Sequence, residues 1–428
     1  MNSYLSMSQE ELATEFRKVK KEYTHLTTLG LHLDMSRGKP SVDQIDLSKR
    51  MFDLVGNDLG FKNKDGIDCR NYGGLDGLSE LKELFSGILE LSPSQIIVGG
   101  NSSLNMMYDT IAQAMTHGLG GEPWMKQGEI KFICPVPGYD RHFAITEHFG
   151  IKMIPVQNKE DGPDMDKIEQ LIKDPSVKGM WCVPKYSNPE GITYSDETVR
   201  RLAAMKPAAK DFRIFWDNAY AIHGLYDEGD ELLNIYEECV KAGNPDLVIM
   251  FTSTSKITYP GAGVAAEAAS PNNVELIKGR LQYQTIGPDK LSQLRHARMF
   301  KSVDDVKSHM KKHAEILRPK FETVLSEMKN ELGGLGIASW GCPKGGYFIS
   351  LNVMKGCAKR VEELCAGAGM ILTKVGATYP YGYDENDSNI RIAPSFPPVE
   401  EIKKASAVLC VSVKYAALEK LLDEINID

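Results

Sequence analysis

The sequence predicts an α/β protein with a large domain, built on a mostly parallel sheet flanked by helices, and a smaller α+β domain. At 428 residues the chain exceeds one typical domain. From about residue 95 onward, short apolar runs alternate with helical patterns, as is typical of parallel sheets covered by helices. From about residue 337, short strand patterns mix with helices, which predicts the second domain.

The N-terminal part of the chain is mainly helical in pattern. Residues 8–29 form an amphipathic repeat that begins with the capping-box pair Ser8 and Glu11. Gly38 and Pro40 then interrupt regular structure. A second helix is predicted over 78–92.

Strand patterns follow in regular order. They lie at 95–100, 130–139, 150–156, 179–184, 213–220 and 247–251, with helical patterns between most of them. A long helical stretch covers about 290–333 and contains Pro319. Strand patterns return at 345–352 and 389–395.

Composition excludes several classes of protein. The net charge is −8 and no dense Lys/Arg run occurs, which argues against nucleic acid as a partner. None of the eight cysteines forms a CxxC pair, so we expect reduced thiols, a cytoplasmic location and no metal site. No signal peptide and no apolar run of membrane-spanning length is apparent, so we expect no membrane association.

A lysine follows the apolar run 247–251 in an unusual setting. Lys256 comes after Thr252, Ser253, Thr254 and Ser255, at the carboxyl end of a predicted buried strand. Burial would lower the pKa of its amine and free the lone pair for attack on a carbonyl. The alternative is an ordinary surface lysine after a strand.

Charged residues in two other strand patterns also need explanation. Asp217 follows four mostly apolar residues, and its carboxylate needs a cationic partner such as a protonated pyridine nitrogen. The alternative role for Asp217 is a helix cap. Tyr220, close behind, could donate to a phenolate. Arg391 lies inside an apolar strand, and its guanidinium suits a carboxylate. A structural salt bridge is the alternative for Arg391.

Several loops add weaker signals. Asn188 precedes Pro189 in a turn pattern. The segment Gly99 to Ser103 opens a helix with free N–H groups and hydroxyls, which can hold an anion, although serine also caps helices routinely. Tyr139 follows Pro137 and Gly138, and either stacks on a flat ring or fills the core.

Taken in order, these segments resemble the fold-type I aminotransferases that use pyridoxal 5′-phosphate (PLP), in the aspartate aminotransferase-like branch related to the MocR proteins. The resemblance rests on the segments SRGKP, NYGGLDGLSELK, GGNSS, SNPEG, DNAY, STSK and RIAPS. It implies a seven-stranded sheet in a large PLP-binding domain, 51–304. It also implies a small domain built from both chain ends, 1–50 and 305–428.

The resemblance implies a role for individual residues. Lys256 would hold PLP covalently, Asp217 would pair with the pyridinium nitrogen, and Asn188 and Tyr220 would reach the ring's phenolic oxygen. Arg391 would bind the substrate α-carboxylate, and Gly38 would line the substrate side. The remaining cofactor contacts would come from Tyr139, Asn101, Ser102, Ser103, Ser253 and Tyr72, with Tyr72 reaching the neighbouring subunit of a homodimer.

The reaction expected from this resemblance is amino transfer, most simply from aspartate to 2-oxoglutarate. Arg37 and Arg280 are candidates for the distal carboxylate of such a substrate. Aromatic or alanine-type transfer, a PLP lyase, and a MocR-like regulator without its DNA-binding module are the alternatives. One departure stands out: many relatives carry a phosphate-binding arginine shortly after the lysine, but none occurs between Ile257 and Ala266.

Overall fold

A computed structural model describes residues 3–427. Within this range the α-helices are α1 Gln9–Thr27, α2 Val42–Asp46, α3 Ser79–Leu89, α4 Ser103–His117, α5 Asp140–His148, α6 Met165–Leu171, α7 Asp196–Ala203, α8 Ile235–Lys241, α9 Pro271–Gln284, α10 Lys290–Met299, α11 Val303–Leu332, α12 Ala358–Gly367 and α13 Val399–Ile427. The strands are β1 Leu33–Asp34, β2 Ile96–Val98, β3 Lys131–Val136, β4 Lys152–Lys159, β5 Gly162–Pro163, β6 Val177–Cys182, β7 Arg213–Asp217, β8 Val248–Ser253, β9 Ala265–Ala269, β10 Ala338–Trp340, β11 Ile349–Val353, β12 Met370–Ile371 and β13 Asn389–Ile392. No helix in the described range is both long enough and apolar enough to cross a bilayer.

The chain divides into two compact units. The large unit comprises 42–187 and 192–314, and the small unit comprises 1–41, 188–191 and 315–428. The domain boundaries expected from the sequence were 50 and 304, whereas the units divide at 41 and 314. The segment 188–191, which contains Asn188, also belongs to the small unit, and nothing in its sequence indicated this.

The large unit is built on an eight-stranded sheet in the order β2-β9-β8-β7-β6-β3-β4-β5. The five central strands β8, β7, β6, β3 and β4 are parallel, whereas β2, β9 and β5 pair antiparallel with their neighbours. The sequence implied seven strands. The eighth is β5, a two-residue edge strand that is too short to leave a hydrophobic pattern.

The central strands form because their side chains are apolar on both faces. Every residue of β6, β7 and β9 is buried, as are Val248 to Thr252 of β8. Such strands are stable only when helices cover both faces of the sheet. The helices do this with amphipathic faces, as in α7, where Val199 and Leu202 are buried in the core.

The parallel strands bring polar residues to one edge. The register pairs Asp217, at the end of β7, with Phe251 in β8, and β8 ends two residues later at Ser253. Because parallel strands end at the same edge of a sheet, ligands bind there in open α/β folds. The fold therefore places Asp217 and the segment after Ser253 together.

The small unit joins both ends of the chain. Its sheets are the antiparallel β10-β11-β13 and the parallel pair β1-β12. The helix α1 begins at a capping box in which the Ser8 N–H donates to Glu11 at 2.8 Å. It packs against α13, where the ring centre of Tyr415 lies 5.0 Å from that of Phe16 and 5.3 Å from that of Tyr23.

The long helical stretch predicted over 290–333 is two helices, α10 and α11. Between them the carboxylate of Asp305 accepts hydrogen bonds from the N–H groups of Lys301 and Ser302, at 2.7 and 3.1 Å. This bond pattern starts a new helix at Val303. Pro319 lies inside α11 and does not end it.

Candidate active site

The turn that carries Lys256 follows directly on β8. The carbonyl oxygen of Thr254 accepts from the N–H groups of Ile257 and Thr258, each at 2.9 Å, so the turn closes around the lysine. Lys256 Nζ lies 5.1 Å from the ring centre of Tyr220, which is buried. Burial lowers the pKa of the Lys256 amine, and the nearby charge of Asp217 acts in the opposite direction. More of this amine is unprotonated near pH 7 than in a surface lysine, so it is more readily available as a nucleophile and as a proton acceptor.

Asp217 is buried at the end of β7 with one carboxylate oxygen in use. His142 Nε2 lies 3.0 Å from its Oδ2. Its Oδ1 is buried and has no hydrogen-bond partner among the described residues. An unpaired buried carboxylate oxygen is costly, so Oδ1 marks a place for a donor from a ligand.

The sequence did not single out His142. The histidine stacks on Trp181, with ring centres 4.3 Å apart and planes 9° from parallel. Trp181 is in turn fixed by a 2.8 Å hydrogen bond to Thr146. Tyr139, a predicted site residue, contacts the edge of the His142 ring at 4.9 Å. The only sequence signal was a polar pair, His142 and Thr146, on the buried face of α5.

Hydroxyls and N–H groups gather beside the lysine turn. The hydroxyl of Ser253 donates to Ser255 at 3.1 Å, and Ser255 donates to the carbonyl oxygen of Asn101 at 3.2 Å. The Asn101 side chain donates to the carbonyl oxygen of Pro260 at 3.2 Å. Ser103 is the first residue of α4, and Ser102 is its N-cap but makes no side-chain capping bond. The first N–H groups of α4 thus remain available to an anion.

Arg280, one of two candidates for a distal carboxylate, has another role. Its guanidinium lies 3.2 Å from the carboxylate of Glu267, and the Glu267 side chain is fully buried in β9. Burial raises the pKa of Glu267 to about 7, and the Arg280 charge opposes this. The pair forms a buried salt bridge that engages the Arg280 guanidinium within the large unit.

These groups of the large unit fit the cofactor that the sequence resemblance implies. Asp217 Oδ1 is an acceptor without a donor, as a pyridinium N–H requires. Lys256 offers an amine with a lowered pKa. The hydroxyls near the start of α4 suit a phosphate. No cluster of three or more His, Cys, Asp or Glu that could hold a metal occurs in residues 3–427.

In the small unit, Arg391 is buried in β13 and set for a carboxylate. Its Nη1 donates to the Asn188 side-chain oxygen at 3.2 Å, and its Nε donates to the Thr373 hydroxyl at 3.3 Å. The guanidinium carbon lies 5.0 Å from the ring centre of Phe348. The sequence indicated Arg391 and Asn188. It did not indicate Thr373 or Phe348.

The Phe348 ring lies so close to position 38 that a glycine is required there. A Cβ at position 38 would lie 2.4 Å from the Phe348 side chain, so only glycine fits here without displacement. The sequence assigned Gly38 to the substrate side. The structure places it against Phe348, which in turn packs on Arg391.

Two predicted site residues are exposed at the surface of their units. Arg37 precedes Gly38 in the small unit and is exposed. Tyr72, in the large unit, is 81% exposed. The loop that carries Tyr72 is bound to α10 by Lys290, whose ammonium donates to the Gly73 carbonyl oxygen at 2.7 Å.

Comparison with known proteins identifies relatives that are aspartate aminotransferases. Residues 7–424 match the family model described as aspartate amino-transferase. The chain is 46% identical over 412 residues to an aspartate aminotransferase of Corynebacterium glutamicum, covering 96% of this chain and 95% of that one. A crystal structure of an aspartate transaminase from the same species aligns with a TM-score of 0.96 at 45% identity, covering 98% and 99% of the two chains.

A more distant solved structure shows the fold alone. It is an α-aminoadipate aminotransferase of Thermus thermophilus, complexed with N-(5′-phosphopyridoxyl)-L-leucine. It is 18% identical to this chain, with a TM-score of 0.71, and the alignment covers 93% of this chain and 95% of that one.

Proposed function

This chain belongs to the aspartate aminotransferase family of fold-type I, PLP-dependent enzymes, and we propose that it transfers the amino group of aspartate to 2-oxoglutarate. The observation that supports this most strongly is the pairing of Lys256, an amine with a lowered pKa, with Asp217, whose Oδ1 lacks a donor. The name of the C. glutamicum relative supports aspartate as the donor.

We propose that the large unit binds PLP through the residues that the sequence indicated. Lys256 would bond to the aldehyde, and Asp217 would accept from the ring N–H. The phosphate would be held by Ser253 and by the polar start of α4, which comprises Asn101, Ser102 and Ser103. Tyr139 would pack on the ring, while Tyr220 would reach its hydroxyl group. When bound, PLP supplies an electron sink for the charge left on the substrate Cα.

The protein's own groups then bind the substrate and move the proton. Arg391 binds the α-carboxylate, since its guanidinium is already oriented by Asn188 and Thr373. Lys256 Nζ takes the proton from Cα and returns it, because burial keeps this amine closer to its neutral form than an exposed lysine. His142 holds Asp217 in place through Oδ2 and leaves Oδ1 for the ring.

We propose Arg37 as the residue that selects a dicarboxylic donor. Arg280, the other candidate, is engaged by Glu267. Arg37 is exposed and directly precedes Gly38, which packs on the same ring as Arg391. A cation at this place can pair with the distal carboxylate of aspartate.

A panel of amino donors with 2-oxoglutarate tests this proposal. We expect transfer from aspartate to exceed transfer from alanine and from aromatic amino acids. Arg37→Met should lower kcat/KM for aspartate about 10- to 100-fold, the usual range for a lost charged hydrogen bond, while leaving alanine nearly unchanged. Arg391→Met should lower kcat/KM for both donors.

Lys39→Met is the matched control, since Lys39 is a neighbouring exposed cation that packs on Phe396. It should leave the ratio of aspartate to alanine transfer unchanged. Equal loss with both donors in Arg37→Met would remove Arg37 from substrate selection. Repeated formation of a 2-oxo acid without any amino acceptor, beyond the one equivalent per site that a transaminase yields by leaving the amino group on its cofactor, would identify a lyase instead.

We also propose a homodimer and a cytoplasmic location. An exposed tyrosine at position 72 suits a role in which Tyr72 of the partner subunit completes the phosphate site. All eight cysteines are free thiols, which suits a reducing compartment.

A further inference from the structure

A buried histidine from α10 contacts the turn that carries Lys256. His296 is fully buried, and its Nε2 lies 3.0 Å from the Thr254 hydroxyl and 2.8 Å from the Thr258 hydroxyl. These two threonines flank Lys256 by two residues on each side. Both are buried as well, so water does not compete for these bonds.

The hydrogen-bond partners define which nitrogen of His296 carries the proton. Nδ1 lies 2.8 Å from the carbonyl oxygen of Ser292. Because a carbonyl oxygen only accepts, Nδ1 is the donor, and Nε2 of the neutral ring is an acceptor. Burial lowers the pKa of His296 to about 4, so the ring is neutral near pH 7.

The threonine hydroxyls have few other acceptors. The Thr254 oxygen already accepts from the N–H of Val264 at 2.9 Å, so its own proton is free to be donated. Thr258 lies 3.2 Å from both the carbonyl oxygen and the hydroxyl of Thr254, which are longer contacts than its 2.8 Å approach to His296. Nε2 of the neutral ring has one lone pair, so it accepts from one hydroxyl at a time: Thr258 is the nearer at 2.8 Å, and Thr254 follows at 3.0 Å.

Other contacts hold the backbone of this turn. His309 Nε2 lies 2.9 Å from the Ile257 carbonyl oxygen. Ser292, the residue that binds His296, also donates to the Ala262 carbonyl oxygen at 2.8 Å. The helices α10 and α11 thus contact the turn at several points. Ser292 and His309 contact its backbone, whereas His296 contacts the side chains of Thr254 and Thr258.

We propose that His296 is a positioning residue for Lys256. It fixes the two threonines and so sets the direction from which Nζ meets the substrate Cα. This role rests on the proposed transfer reaction. Because a misplacement of about 1 Å can reduce a reaction rate about 100-fold, loss of the acceptor nitrogen should act on kcat more than on KM.

A double-mutant cycle on the full-length holoenzyme tests this. The variants are His296→Leu, Thr258→Val and the double variant, with His296→Gln as the conservative replacement because its side-chain oxygen can accept. We expect His296→Leu to lower kcat about 10- to 100-fold with KM nearly unchanged. The double variant should be no slower than the slower single variant, and His296→Gln should recover most of the rate.

Hydrogen exchange gives a second measurement that does not depend on activity. In the cofactor-free protein, His296→Leu should speed amide exchange within 254–264, and Thr198→Val, a buried threonine of α7 that contacts Ser195, should not. Independent effects of the two substitutions on kcat, or unchanged exchange in 254–264, would overturn the positioning role. If the wild-type enzyme transfers no amino group, the proposed function fails, and the exchange result still decides whether His296 fixes the turn.

Discussion

At the scale of single residues, position 263 in the turn after Lys256 has no room for an arginine or any other side chain. A Cβ on Gly263 would lie 2.9 Å from the Tyr259 carbonyl oxygen and 3.1 Å from the Thr254 hydroxyl. The backbone at 263 packs directly on the turn of Lys256, so this position has no room for a side chain. In the proposed PLP site the phosphate charge would be met by hydroxyls, by the N–H groups of α4 and by Tyr72 of a second subunit.

His296 also makes a prediction for acid stability. Burial lowers its pKa to about 4, whereas in the unfolded chain it titrates near 6.5. Between these values the unfolded chain binds a proton that the folded chain does not, so the free energy of unfolding falls as pH falls. From pH 7 to pH 5 this loss is about 2 kcal/mol.

Urea unfolding of the wild type and of His296→Gln at both pH values measures this loss. The variant should lose about 2 kcal/mol less stability on acidification than the wild type. The buried histidines His309 and His313, whose pKa values are also lowered by burial, remain in both proteins and so cancel in the comparison. The same loss in both proteins would show that His296 does not titrate as the structure implies.

At the scale of elements, the sequence indicates the candidate site residues in or just after strands but not the buried histidines on helices. Asp217, Lys256 and Arg391 stood out because charges in or just after apolar strands are costly without a partner. His142 and His296 lie on the buried faces of α5 and α10. A histidine at such a position does not disturb the helical pattern, so the sequence does not single it out. Their partners come from other elements, and only the fold brings these together.

Helix boundaries show the same limit. The sequence predicts one long helical stretch over about 290–333, with an interruption only at Pro319, because α10 and α11 are separated by only three residues. The break depends on Asp305 accepting from two N–H groups in that gap, and such a local bond leaves no mark on hydrophobic spacing. Conversely, Pro319 suggested an interruption inside α11, and the helix continues through it.

At the scale of the whole molecule, the assignment of Tyr72 to a neighbouring site makes a prediction about mixed dimers. Lys256→Ala and Tyr72→Ala should each be nearly inactive alone. Unfolded together and refolded, half of the randomly paired dimers are mixed, and each mixed dimer has one intact site, so about a quarter of wild-type activity should return.

Refolding of each variant by itself is the control for this experiment. Recovery only in the mixture supports sites shared between subunits. If the mixture stays as inactive as its components while native mass spectrometry shows mixed dimers, Tyr72 acts within its own subunit or not at all.

The central claim, that Lys256 carries the cofactor, is tested most directly by reductive trapping. The protein is incubated with PLP, reduced with borohydride and digested, and the modified peptide is identified by mass spectrometry. The structure predicts a single pyridoxyl group on the peptide containing Lys256, retained in Lys185→Arg, which alters another lysine whose pKa burial lowers. A label on other lysines, or the same labelling in Lys256→Ala, would contradict the account.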